Sequence, residues 1–170
     1  MYGSELSKRI AKRLEEPRGR IQVVAGPRQV GKTTAMHQAL EAHGGPWRYV
    51  LADGLRRGTV EWLEAEWNAA RVAAAREGER WLVVDEIQKV PGWSETVKRL
   101  WDEDTFSGLP LKVALLGSSR LLLGKGLTES LSGRFELLGA WHWSYGEMRA
   151  AFGYSVDDYL LHGGYPGGVE

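Results

Sequence analysis

The chain has no cysteine among its 170 residues. That excludes a disulfide framework and any thiolate metal site. Net charge is lacking too: 22 basic residues balance 22 acidic ones, so no overall field marks the chain as a general polyanion binder. Long hydrophobic runs are missing as well. No apolar stretch approaches the roughly 18 residues that a membrane span needs, and the N-terminal MYGSELSKRI has no apolar centre of the kind a secretory signal carries. The sequence contains no internal repeat and no low-complexity segment. A soluble cytoplasmic protein with no membrane partner is the expectation these absences leave. Length sets a further bound, because 170 residues build one α/β domain with a real core and hardly two.

What is present alternates. Leu6, Ile10 and Leu14, at a spacing of four, predict a short amphipathic helix over residues 4–16. RIQVVAG, residues 20–26, reads as a compact apolar strand stopped by glycine. A helix over 33–43, a strand over 47–53 and a helix over 59–76 capped by Thr59 follow. RWLVVDE, residues 80–86, is the third strand, and Ser94 is expected to cap a helix whose Trp93, Val97, Leu100 and Trp101 share one face. Residues 111–117 and 134–139 supply two more strands, with short helices over 145–152 and 156–162. Strands that read as unbroken apolar runs between helices predict an α/β fold with a parallel sheet covered on both faces. Residues 1–170 read as a single domain, with an N-terminal helical segment over 1–19.

Ligands of such sheets bind at the carboxyl ends of the strands. The first strand runs directly into GPRQVGKTT, residues 26–34, which satisfies the P-loop pattern G-x-x-x-x-G-K-[ST]. Gly26 and Gly31 permit backbone geometry closed to other residues, and Pro27, Arg28, Gln29 and Val30 complete an arc whose amides can face phosphate oxygens. Lys32 brings a positive charge to the β- and γ-phosphates, the Thr33 hydroxyl can ligate Mg²⁺, and Thr34 continues the helix whose dipole favours anions. This is a nucleotide site.

The third strand ends in two adjacent carboxylates, Asp85 and Glu86, a costly arrangement unless positive charge lies near. A nucleotide-bound Mg²⁺ supplies it. Adjacent strand residues point to opposite faces, so Asp85 is expected to hold the metal through its water. Glu86 is then expected to face the γ-phosphate and polarise the attacking water. At the end of the fourth strand, Ser118 is the candidate phosphate sensor and Ser119 the second choice. In SLSGRF, Arg134 stands at the foot of the fifth strand, where it could stabilise transition-state charge on a neighbouring subunit's nucleotide or form a structural salt bridge.

AGPRQVGKTT, VVDEIQKVPGW, LLGSSRLLL, SLSGRF and LLHGGYPGGVE, in this order, resemble the AAA-type ATPases of bacteria and archaea that pair a P-loop domain with a C-terminal domain of unknown function. The resemblance runs from about residue 20 to the end of the chain. It implies a P-loop three-layer sandwich with a five-stranded sheet in the order 5-1-4-3-2, ATP or ADP as ligand and Mg²⁺ as cofactor. Lys32 and Thr33 match the family's P-loop pair, Asp85 and Glu86 its second acidic motif, Ser118 its sensor position and Arg134 the arginine of its Gly-Arg motif. Arg120 departs from the small polar residue usual at its position. Members normally continue past the Gly-Gly-Tyr-Pro segment, so residues 140–170 are expected to begin the connection to a C-terminal part outside this sequence.

Other features carry less. His37, His43, His142 and His162 share no ligand spacing with an acidic partner. WHWSY, residues 141–145, could stack on nucleic-acid bases, and the arginines of GLRRGT could touch a phosphate backbone. Packing under a loop and a solvated turn are the ordinary roles of such segments. Function therefore reads as an ATPase coupled to motion of an attached domain or partner, with self-association compatible. The alternatives are a nucleotide-dependent switch with very slow hydrolysis and, weakest, a small-molecule kinase, which Glu86 and the lack of an arginine-rich lid disfavour.

Overall fold

The computed structural model describes residues 3–53, 58–119 and 126–168. Helix α1 (Glu5–Leu14) starts where the Ser4 hydroxyl accepts from the Ser7 amide at 3.1 Å, and it buries Leu6, Ile10 and Leu14. Strand β1 (Ile21–Gly26) leads through the P-loop into α2 (Lys32–His43). Then come β2 (Trp47–Leu51), α3 (Val60–Glu77), β3 (Arg80–Asp85), a 3-10 turn (Ile87–Lys89) and α4 (Trp93–Ser107). Strand β4 (Leu111–Ser118), a π-helical turn (Gly126–Ser130), β5 (Phe135–Gly139), α5 (Tyr145–Phe152) and α6 (Val156–His162) follow, with a last 3-10 turn at Pro166–Gly168.

The five strands form one sheet in the order β2-β3-β4-β1-β5, every pair parallel. This is the expected 5-1-4-3-2 order read from the other edge. All six residues of β1 and all eight of β4 are buried, as central parallel strands require, whereas the edge strands β2 and β5 are partly exposed. Alternation along the strands divides the apolar side chains between two cores. Val23, Val84, Val113 and Leu115 pack with Leu63, Trp67, Leu100 and Trp101 under α3 and α4. Val24, Val83, Ala114 and Leu116 pack with Ile10, Leu14, Met36 and Leu40 under α1 and α2. Across the first of these layers, buried Asp104 of α4 accepts from Trp67 Nε1 at 2.8 Å and Arg71 Nε at 2.6 Å, which fixes α3 against α4.

Local chemistry sets the helix ends. Thr59 caps α3 by accepting from the Trp62 amide, and Ser144 and Ser155 cap α5 and α6 in reciprocal boxes with Glu147 and Asp158. The expected cap at Ser94 is not used: α4 begins at Trp93, and its N-cap position falls two residues earlier, on Gly92 in a left-handed conformation with φ 76°. Among the described residues, no helix is long and apolar enough to cross a membrane.

Candidate nucleotide site

The two P-loop glycines serve different purposes. Gly31 has φ 84° and turns the chain into α2 in a conformation that side chains with a Cβ disfavour. Gly26 has no such dihedral and is fixed by a close approach instead. A Cβ there would lie 1.8 Å from the Ala140 carbonyl oxygen. Gln29, between them, also takes a positive φ of 62°. Helix α2 has no side-chain cap, unlike α1, α3, α5 and α6, so its first-turn amides and its positive end face the loop without an internal acceptor.

Lys32 is buried and its Nζ donates to the carbonyls of Gly26, at 3.1 Å, and Pro27. Those bonds hold the ammonium inside the arc of the loop. Burial draws its pKa below the ordinary lysine value; the carboxylates of Glu86 and Asp85 pull the other way, and Arg28 adds to the depression.

Asp85, 3% exposed, lies on the α2 side of the sheet. Its Oδ2 accepts from Thr33 Oγ1 at 2.8 Å and from the Tyr49 hydroxyl, and its Oδ1 accepts from the Glu86 amide at 2.8 Å. The hydroxyl and the carboxylate expected to share a metal are thus in contact, 52 residues apart in sequence. They are hard oxygen donors of the kind Mg²⁺ takes, and they fit such an ion when phosphates supply further oxygens. Among the described residues, no group of three His, Asp or Glu side chains could hold a metal unaided.

Glu86 departs from the expectation in one respect. β3 ends at Asp85, and Glu86 takes φ 56° and ψ 37°, so a left-handed turn rather than the strand pleat aims its side chain. That conformation costs a non-glycine residue about 1–2 kcal/mol. The Asp85–Glu86 amide bond and the 3-10 turn beginning at Ile87 offset it. Gln88 Nε2 donates to Glu86 Oε2.

Ser118 is buried at the end of β4 and pairs in register with Gly26, so it stands beside the root of the P-loop; Ser119 is half-buried in the turn beyond. Arg134 stands apart. It precedes β5, whose Phe135 pairs with Ile21 at the beginning of β1, so a strand's length, roughly 16–20 Å, separates it from the P-loop of its own chain. Its Nε and Nη2 grip Asp102 of α4 at 2.7 and 2.9 Å, and this pair holds the Asp102 carboxyl below its usual range and raises the guanidinium. Arg120 and the pair Arg56 and Arg57 lie outside the described residues.

Three residues join the site that motif reading passed over. Tyr49 reaches Asp85 from β2, which only knowledge of the strand order would reveal. Gln88 lies two residues from Glu86, and its position in DEIQ was the available signal. Trp143, from the expected loop-packing segment, donates from Nε1 to the Val30 carbonyl at 3.1 Å. Its backbone also meets the C-terminal segment: Trp143 N donates to Gly164 O at 2.8 Å, and Tyr159 donates to Trp143 O at 3.0 Å. Beside the loop opens a cavity of about 370 Å³, lined by Gln29, Gly31, Thr34, Trp143 and Phe152 among others.

A family model described as an AAA domain matches residues 18–149. Solved structures share the fold. An Orc1 protein of Aeropyrum pernix in complex with DNA matches at TM-score 0.59 and 15% identity, over 85% of this chain and 46% of that one. An ORC2 protein of the same organism, in ADPNP and ADP complexes, matches at TM-score 0.61 and 14% identity, over 92% and 50%. Cdc6p of Pyrobaculum aerophilum matches at TM-score 0.56 and 14% identity, over 88% and 49%. The chain therefore spans about half the length of these proteins. No curated protein matches it.

The close approach at Gly26 generates a test. In Gly26→Ala the new methyl meets backbone atoms that cannot swing away, and a loss of about 3 kcal/mol in urea unfolding is expected. In Gly146→Ala, inside α5, the new methyl would stand 3.8 Å from Ser144 Oγ, an ordinary contact, and stability is expected to hold or rise. Equal unfolding midpoints for the two variants would remove the steric explanation.

Proposed function

The chain belongs to the AAA domain family, and from that premise we propose that it binds ATP or ADP with Mg²⁺ and hydrolyses ATP to ADP and phosphate. The step is coupled to a conformational change in an attached domain or partner. The observation that carries this reading is the contact between Thr33 Oγ1 and Asp85 Oδ2, which joins the P-loop to the acidic strand end at one point. The loop amides and Lys32 bind the phosphates, Thr33 and Asp85 hold the metal, and the cavity beside Trp143 accommodates the base. Mg²⁺, when bound, neutralises phosphate charge. Glu86 accepts a proton from the attacking water as general base, and Ser118 orients groups at the γ-phosphate. Arg134 acts on the nucleotide of a second copy, since it stands at the far end of the sheet from its own chain's P-loop. One observation favours the alternative of a slow switch: Gln88 engages the Glu86 carboxylate that must take the proton.

Calorimetry with Mg-ATP tests binding. Lys32→Ala is expected to lose most of the affinity for ATP and ADP, because the cation facing the phosphates is gone; unchanged affinity would sink the assignment. Glu86→Gln should keep ATP binding while turnover drops by roughly 10²-fold or more. If that variant turns over ATP like the parent, the water-activating group lies elsewhere. A parent that binds ATP tightly yet scarcely hydrolyses it would establish the switch.

For Arg134, the decisive measurement is complementation. Arg134→Ala is expected to bind ATP normally and to lose up to ~10³-fold in turnover. Excess Lys32→Ala protein, which supplies an intact arginine, should restore it. Failure to restore turnover in a mixture shown to co-assemble would confine Arg134 to its pair with Asp102. That exposed pair is worth about 1 kcal/mol or less.

A further inference from the structure

Asp85 is held by three donors, and one of them belongs to neither nucleotide motif. Strand β2 pairs with β3 so that Tyr49 stands opposite Val83 and Leu51 opposite Asp85. Tyr49 is therefore one step back along the same face, near enough for its long side chain to reach forward to the carboxylate. The reach is braced. The His37 ring of α2 stacks on the Tyr49 ring with centroids 4.2 Å apart and planes at 26°, and His37 meets Trp47 edge-on at 5.8 Å. His37 lies on the helix that the P-loop opens, so Tyr49 touches the metal-binding acid through its hydroxyl and the phosphate-binding helix through its ring.

We propose that Tyr49 is a positioning residue of the metal site, whose phenol and braced ring set the orientation of the Asp85 carboxylate for a nucleotide-bound divalent cation. The inference rests on the Mg-nucleotide reading above. A carboxylate with both oxygens occupied by donors from three segments cannot rotate about its Cβ–Cγ bond without breaking one of them. Without the phenol, Oδ2 keeps only Thr33, the group that must also serve the metal. Asp85 is 3% exposed, so bulk water is poorly placed to replace the lost donor. Residues that orient a metal ligand in this way are worth 10-fold or more in metal affinity in other proteins.

The test is Tyr49→Phe, which keeps the stacked ring and removes only the hydroxyl. ATP binding is followed by calorimetry across a Mg²⁺ series and in EDTA, with no turnover measured. The Mg²⁺ concentration that gives half of the metal-dependent gain in affinity is expected to rise about tenfold, while binding in EDTA stays at the parental value. His37→Ala, which loosens the ring and leaves the hydroxyl, should shift the midpoint in the same direction by less. Asp85→Asn separates the two levels of the argument. If Asp85→Asn weakens the Mg²⁺ dependence and Tyr49→Phe does not, the positioning role is overturned and the metal site stands. A lower melting temperature for Tyr49→Phe with an unmoved Mg²⁺ midpoint overturns it in the same way. If neither variant moves the midpoint, the metal assignment falls, and the inference with it.

Discussion

The Asp85 carboxylate is the point on which the rest of this structure is hung. Removing an ion of that size from water costs several kcal/mol, and hydrogen bonds to a charged group return about 1.5–3 kcal/mol each. Three donors are therefore needed to make the position tenable, and each comes from a different part of the chain: Thr33 from α2, Tyr49 from β2 and the Glu86 amide from the turn after β3. Satisfying the charge thereby fixes the start of the P-loop helix, the neighbouring strand and the left-handed turn that aims Glu86. Electrostatics at one atom group and geometry across the strand ends are one constraint here.

Much of this was legible in the sequence because it is written locally. The strand–GPRQVGKTT–helix passage, the cap at Thr59 and the short helices near the C-terminus all depend on residues a few positions apart. Expectation and structure part where the deciding contact is not local or where a single dihedral intervenes. Pleat alternation would separate Asp85 from Glu86, but the strand stops between them and φ 56° does the separating. Ser94 has the chemistry of a cap, yet Gly92 turns the chain two residues too early for it to be used. Tyr49 finds Asp85 across 36 residues and Arg134 finds Asp102 across 32, and neither pairing leaves a trace in spacing.

The segment after β5 is bound to the P-loop more closely than a simple connection would be. Trp143 reaches the Val30 carbonyl, and Gly164 passes so near the Trp143 backbone that a Cβ would sit 2.0 Å from its carbonyl oxygen. Gly167 lies against Gln29, where an added Cβ would stand 3.4 Å from that side chain. α6 itself buries none of its residues, and Leu160 and Leu161 are more than three-quarters exposed. The tight packing of the segment thus lies at Trp143, Gly164 and Gly167 and at Met148 of α5, while α6 lies open.

The wedge of Gly26 against Ala140 has a consequence for motion. A loop closes on a ligand most readily when it can pivot at its base, and a base jammed against the Ala140 backbone just beyond the end of β5 has no such hinge. Flexing of the P-loop is left to residues 27–31, between the wedge and the first turn of α2. Few backbone dihedrals remain to be frozen when phosphate arrives, so most of the ordering entropy of binding has already been met during folding. Any larger displacement of the loop must carry the exit of β5 along with it.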